Sequence, residues 1–118
     1  MPAVLVERDG EITMLTLYRP DALNTLNADL VRELTLALDD VDEDPGCRVV
    51  ILTGAGRAFC AGLDLNGYGD DDIVAERGGV IPMFERQQDI AGLALRLHGL
   101  RQPVIAAVNG AAAGGGLA

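Results

Sequence analysis

Two adjoining stretches limit the fold most: Pro103-Val104-Ile105-Ala106-Ala107-Val108-Asn109, and Gly110-Ala111-Ala112-Ala113-Gly114-Gly115-Gly116-Leu117-Ala118 after it. The first is apolar with little alternation, the pattern of a strand covered on both faces. The second carries three consecutive glycines and no side chain large enough to block a close approach. Its peptide N–H groups stand bare at what reads as the start of a helix, where they lack intrahelical partners. The turn is either a tight strand-to-helix connection or a place where one such N–H donates to an oxyanion.

A strand of that kind needs an aliphatic core. Of the 118 residues, 49% are hydrophobic but only 3% are aromatic, with no Trp. The length suits one small domain. The lack of aromatics argues against a stacking platform for single-stranded nucleic acid. A net charge of −9 repels nucleic acid as well. No apolar run is long enough to span a membrane. Glu7, Arg8 and Asp9 put charge where a signal peptide needs an apolar stretch, so a cytoplasmic location is expected. Cys47 and Cys60 lack zinc spacing and form no CxxC, so two reduced thiols are expected. With His98 the single histidine, no metal site is expected.

Val4–Glu7 and Glu11–Tyr18 read as strands, joined by a turn at Asp9-Gly10. Asn27 is a good N-cap for a helix from about Ala28 to about Asp42. Leu30, Leu34, Ala37, Leu38 and Val41 give it one apolar face, and Asp44-Pro45-Gly46 stops it. Asp39, Asp40, Asp42, Glu43 and Asp44 lack the spacing of a calcium loop and read as a solvated helix end. Arg48–Thr53 is a third strand, and a helix between two apolar strands predicts parallel pairing. Gly54 and Gly56 follow it, but Phe59 stands where a dinucleotide fingerprint needs its third glycine. Asn66–Val80 is polar and glycine-rich, and is expected to be the most mobile internal stretch. Ile81–Leu100 reads as a second helix with Met83, Ile90, Leu93, Ala94 and Leu97 on its apolar face. His98 falls near the helix end, where a cation meets carbonyls.

Three segments in this order, Arg19-Pro20-Asp21-Ala22-Leu23-Asn24, Phe59-Cys60-Ala61-Gly62-Leu63-Asp64-Leu65 and Ala107–Ala118, resemble the crotonase superfamily, the enoyl-CoA hydratase/isomerase family. The resemblance covers essentially the whole chain. It implies an α/β fold, a crotonase-like spiral of ββα units. Residues 1–118 are expected to be the N-terminal part of the core domain, with the C-terminal part absent, because the family runs well over twice this length.

The resemblance also implies an enzyme acting on an acyl-CoA thioester through an enolate, with no tightly bound cofactor and coenzyme A entering as part of the substrate. By motif, Ala61 and Gly115 are the backbone donors to the thioester oxygen. Fixed N–H donors in a dry site stabilise charge developing on that oxygen without reorganising. Ala22 and Leu23 match the pantetheine-lining loop, and Ala61, Leu63, Asp64 and Leu65 match the segment around the adenine and thioester. Arg19 is a candidate phosphate contact or a solvent-exposed Arg before Pro20. Assembly as a homotrimer or hexamer is implied. The chain departs from the hydratases at Ala118, where they carry a catalytic Glu, and alanine moves no proton. Hydration is therefore doubtful, isomerisation stays open, and a non-catalytic acyl-CoA-binding or assembly module of the same fold is the alternative.

Overall fold

The structure is a computed structural model that describes residues 2–64 and 80–118, without the side chains of residues 80–89. The expected mobile segment, Asn66–Val80, falls almost wholly outside the described residues, as does Leu65, and the Met83 side chain is not described.

Strands β1 (Val4–Asp9) and β2 (Ile12–Leu17) form an antiparallel hairpin. Asp9 pairs with Ile12, so the turn residues are Gly10 and Glu11, one position later than the sequence suggests. Gly10 takes φ 59°, open to glycine at no steric cost. Helix α1 (Ala28–Glu43) follows a loop containing a 3-10 turn at Pro20–Ala22. The Asn27 side chain accepts from the Leu30 N–H at 2.8 Å and satisfies one orphan donor of its first turn. Leu30, Val31, Leu34, Ala37, Leu38 and Val41 are its buried face. Strand β3 (Val49–Gly54) runs parallel to β2, as the helical crossover predicts.

Strand β4 (Ala58–Cys60) lies in a stretch that reads as a glycine loop. Helix α2 (Val80–Gly99) precedes β5 (Val104–Ala107), which pairs parallel with β3. The main sheet has the order β1-β2-β3-β5. Leu15, Leu30, Leu38, Val41 and Val50, each almost fully buried, centre the core between this sheet and α1. Gln102, also buried, donates through Nε2 to the Val41 and Cys47 carbonyls at 2.7 and 3.2 Å, fastening the end of α1 to the entry of β5.

The expectation that 103–109 is a strand covered on both faces is not met among the described residues. β5 is shorter, stands at the sheet edge, and leaves Ile105 54% exposed and Val108, after it, 58% exposed. After the glycine stretch, Leu117 takes right-handed helical φ and ψ of −75° and −33°. Ala111–Ala112 form a short strand, β6, paired parallel with β4, and Gly114–Gly116 make a single 3-10 turn.

The acidic end of α1 is ringed by arginines. Arg96 pairs with Asp39 at 2.7 Å and Arg8 with Asp44 at 3.2 Å, and Arg101 donates to the Asp42 and Asp44 carbonyls. Cys47 and Cys60 are free thiols. Among the described residues no helix is long and apolar enough to cross a membrane.

Candidate active site

Asn24 fixes the local geometry from within. It is fully buried, and every polar position of its carboxamide is used in the way a buried amide requires. Oδ1 accepts from the Arg19 N–H at 2.7 Å, and Nδ2 donates to the Ala55 and Ala58 carbonyls at 2.9 and 2.8 Å. These bonds hold Leu23 and Asn24 at φ 55° and 53°. That left-handed conformation costs most non-glycine residues about 1 kcal/mol, and Asn tolerates it better than Leu. Asn109 also bonds to the β3–β4 turn. Its Nδ2 donates to the Gly56 and Ala58 carbonyls at 2.9 and 3.1 Å, and its Oδ1 accepts from the Gly54 N–H at 3.1 Å.

The Arg19 guanidinium is turned inward. It pairs with Asp64 at 3.0 Å, the two side chains 21% and 16% exposed, and donates to the Thr25 carbonyl. The alternative of an exposed Arg19 is thereby set aside, and its charge is engaged within the protein.

The chain from β4 to Asp64 runs between two neighbours. On one side is Leu26, bridged in parallel to Leu63: Leu26 N–H donates to the Gly62 carbonyl at 2.7 Å and Asp64 N–H to the Leu26 carbonyl at 3.0 Å. In such a bridge the N–H of Leu63 itself faces away from Leu26. On the other side are β6 and the glycine turn. Ala113 N–H donates to the Cys60 carbonyl at 3.1 Å. Gly62, at φ 109°, lies so near Gly114 that a Cβ on it would sit 3.2 Å from the Ala113 oxygen. A Cβ on Gly116 would fall 2.1 Å from the Cys60 oxygen, so only glycine fits there.

The sequence places backbone donors at Ala61 and Gly115, and the fold brings their two segments into contact. Their N–H groups differ in state. Ala61 N–H donates to the Leu23 carbonyl at 3.1 Å. Among the described residues, Gly115 N–H and Leu63 N–H meet no acceptor. Gly115 also lines a cavity of about 740 Å³ with Leu26, Phe59, Ile90, Leu93 and Ala118. The walls are mostly apolar, and the exposed Ala118 adds only a methyl group. Cys60 lines it too, and burial raises its thiol pKa, the Gly62 backbone pulling weakly the other way. Ala61, Leu63 and Asp64 do not line this cavity, and Ala22 lines a separate cleft of about 460 Å³ with Arg19 and Glu33. His98 is exposed in the last turn of α2, at the cavity rim.

Residues 7–118 match the family model described as enoyl-CoA hydratase/isomerase. The chain belongs to the enoyl-CoA hydratase/isomerase family. It is 38% identical over 117 residues to a probable enoyl-CoA hydratase of Mycobacterium bovis, covering 96% of this chain and 40% of that protein. It is 39% identical over 118 residues to the 1,2-epoxyphenylacetyl-CoA isomerase of Escherichia coli, covering 98% and 43%. A monofunctional enoyl-CoA isomerase of Mycobacterium smegmatis superimposes with a TM-score of 0.75 at 36% identity, over 99% of this chain and 45% of that one. The chain thus spans under half the length of these relatives, and the crotonase-like fold here is a partial one.

In this member of the enoyl-CoA hydratase/isomerase family, the unclaimed state of the Leu63 N–H and the bonds of the two asparagines were not legible in the sequence. The Leu63 signal is the hydrogen-bond alternation along 61–64, which shows only once Leu26 is known to be the neighbour. Asn24 carried a legible hint: a non-glycine residue suited to the left-handed region just after an apolar Leu23.

Proposed function

We propose that the chain supplies the thioester-oxygen site of an acyl-CoA enzyme working through an enolate. The observation that carries this reading is the pair of unclaimed N–H groups, Leu63 and Gly115, on two segments packed backbone to backbone, with Gly115 on an apolar cavity. Deprotonation at the α-carbon, or addition at the β-carbon, moves negative charge onto the thioester oxygen. Two donors aimed at that oxygen stabilise it, each by about 3 kcal/mol. Ala61 is the less suitable donor because Leu23 already holds its N–H. Ala22, Leu23, Ala61, Leu63, Asp64 and Leu65 are the proposed coenzyme A contacts, by motif. Assembly as a homotrimer or hexamer and a cytoplasmic location belong to the same reading, and family membership is their support.

Hydration needs a base for water and an acid for the α-carbon in addition to the donors. Ala118 puts a methyl group on the cavity wall where the hydratases of the family carry a carboxylate. The reaction expected of the whole protein is therefore one that needs a single carboxylate from elsewhere, such as double-bond isomerisation. The same methyl group favours a second reading, a module that binds acyl-CoA without turnover. The test is turnover of a short enoyl-CoA and its shifted isomer by the whole protein and by its Ala118→Glu variant, with acyl-CoA affinity measured alongside. Isomerisation without hydration supports the first reading, binding without turnover the second. Ordinary hydration rates in the parent, on the order of 10–10³ per second, contradict the argument from Ala118.

A further inference from the structure

We propose that Asn109, acting with Asn24, is a positioning residue that fixes the Leu63 and Gly115 N–H groups relative to one another. The inference rests on the reading of those two groups as donors to the thioester oxygen. Ala58 opens the segment that leads to Leu63, and Asn109 opens the segment that leads to Gly115. The two segments share one acceptor: the Ala58 carbonyl takes Asn24 Nδ2 at 2.8 Å and Asn109 Nδ2 at 3.1 Å. A carbonyl oxygen has two lone pairs and can accept from both carboxamides at once.

Asn109 does more than close that node. Its remaining contacts, the Gly56 carbonyl at 2.9 Å and the Gly54 N–H at 3.1 Å, make it a three-point clamp on the β3–β4 turn. A carboxamide suits this task because it donates and accepts at once. Immediately after it, Gly110 lies against Arg57 so closely that a Cβ would fall 2.0 Å from the Arg57 oxygen. The entry of the glycine segment is therefore registered against the entry of β4 by hydrogen bonds and by contact. An oxyanion site is sensitive to such registration, since a displacement of about 1 Å can cost on the order of 10²-fold in rate.

The test uses the whole protein and a chromophoric acyl thioester, 4-hydroxycinnamoyl-CoA, whose absorption moves to longer wavelength when its carbonyl is polarised. Wild type is compared with Asn109→Asp, which keeps the acceptor for Gly54 and loses both donations, and with Asn109→Ala. Thr53→Val is the control. It removes a 2.8 Å bond from Thr53 Oγ1 to the Ala107 carbonyl, linking the same two strands outside the node. Both Asn109 variants are expected to bind the probe within about threefold of wild type and to lose about half or more of the red shift. Thr53→Val is expected to keep the shift. A full red shift in both Asn109 variants overturns the proposal. So does an equal fall of shift, affinity and melting temperature in the Asn109 and Thr53 variants, which marks plain loss of stability. A wild-type complex with no red shift is a separate failure: it removes the Leu63–Gly115 reading itself, and the positioning role falls with it.

Discussion

Asn24 and Asn109 donate to the same atom, the carbonyl oxygen of Ala58, at 2.8 and 3.1 Å. One side chain comes from the loop before α1 and the other from the chain leaving β5. Between them they join three strand-end segments at Ala58, the first residue of β4.

Removing the buried member of this pair should be costly. Asn24→Gly keeps the freedom to adopt φ 53° and deletes only the carboxamide. It leaves the Arg19 N–H and the Ala55 carbonyl without their partner, and the Ala58 carbonyl with one. The expected loss is about 2–3 kcal/mol in urea unfolding. A loss below about 0.5 kcal/mol would show that water replaces these bonds freely.

The Arg19–Asp64 pair is partly buried, so a double-mutant cycle with Arg19→Ala and Asp64→Ala should give a coupling energy of about 1 kcal/mol. Because its guanidinium is engaged by Asp64 and Thr25, Arg19→Ala should not change the ratio of affinities for coenzyme A and its dephosphorylated form. A selective loss of affinity for the 3′-phosphorylated ligand would restore Arg19 as a phosphate contact.

Two glycines separate packing from propensity. Among the described residues, a Cβ at Gly92 meets nothing within 4 Å, so Gly92→Ala should stabilise by about 0.5–1 kcal/mol. Gly116→Ala drives a methyl into the Cys60 carbonyl and carbon, and should cost about 3 kcal/mol or more. Thermal melts of the two variants should move in opposite directions.

The Cys60 thiol gives a pH signature. Burial raises its pKa above the ordinary 9.0. Above pH 9 the unfolded chain therefore releases this proton while the folded chain keeps it. Stability is complete below that pH and falls as pH rises toward the folded-state value. Mapped alkylation at pH 8 should find Cys60 slow in the native protein and fast in urea. Equal rates would mean that the thiol is open to solvent.

Most of the framework was legible from local chemistry. The Asn27 cap, the apolar stripe of α1 and the glycine after Asp9 each act over a few residues, so pattern alone finds them. β4 and β6 were not legible because each is two or three residues long and gains its identity only from the other. The same limit hid the edge exposure of β5, which depends on which strands stand beside it. At the site, the motifs pointed to Ala61 and Gly115 as donors and to Leu63 and Asp64 as coenzyme A contacts. Which N–H groups are unclaimed depends on Leu23 and Leu26, distant neighbours whose carbonyls and amides choose between Ala61 and Leu63.

The central claim is that backbone N–H groups of Leu63 and Gly115 hold the thioester oxygen. Difference infrared spectroscopy of the whole protein with an acyl-CoA carrying ¹³C at the thioester carbonyl reads that oxygen directly. The account predicts a bound carbonyl band displaced to lower wavenumber, as two hydrogen bonds weaken the C=O bond. A fully bound ligand whose carbonyl band stays at its solution position would contradict it.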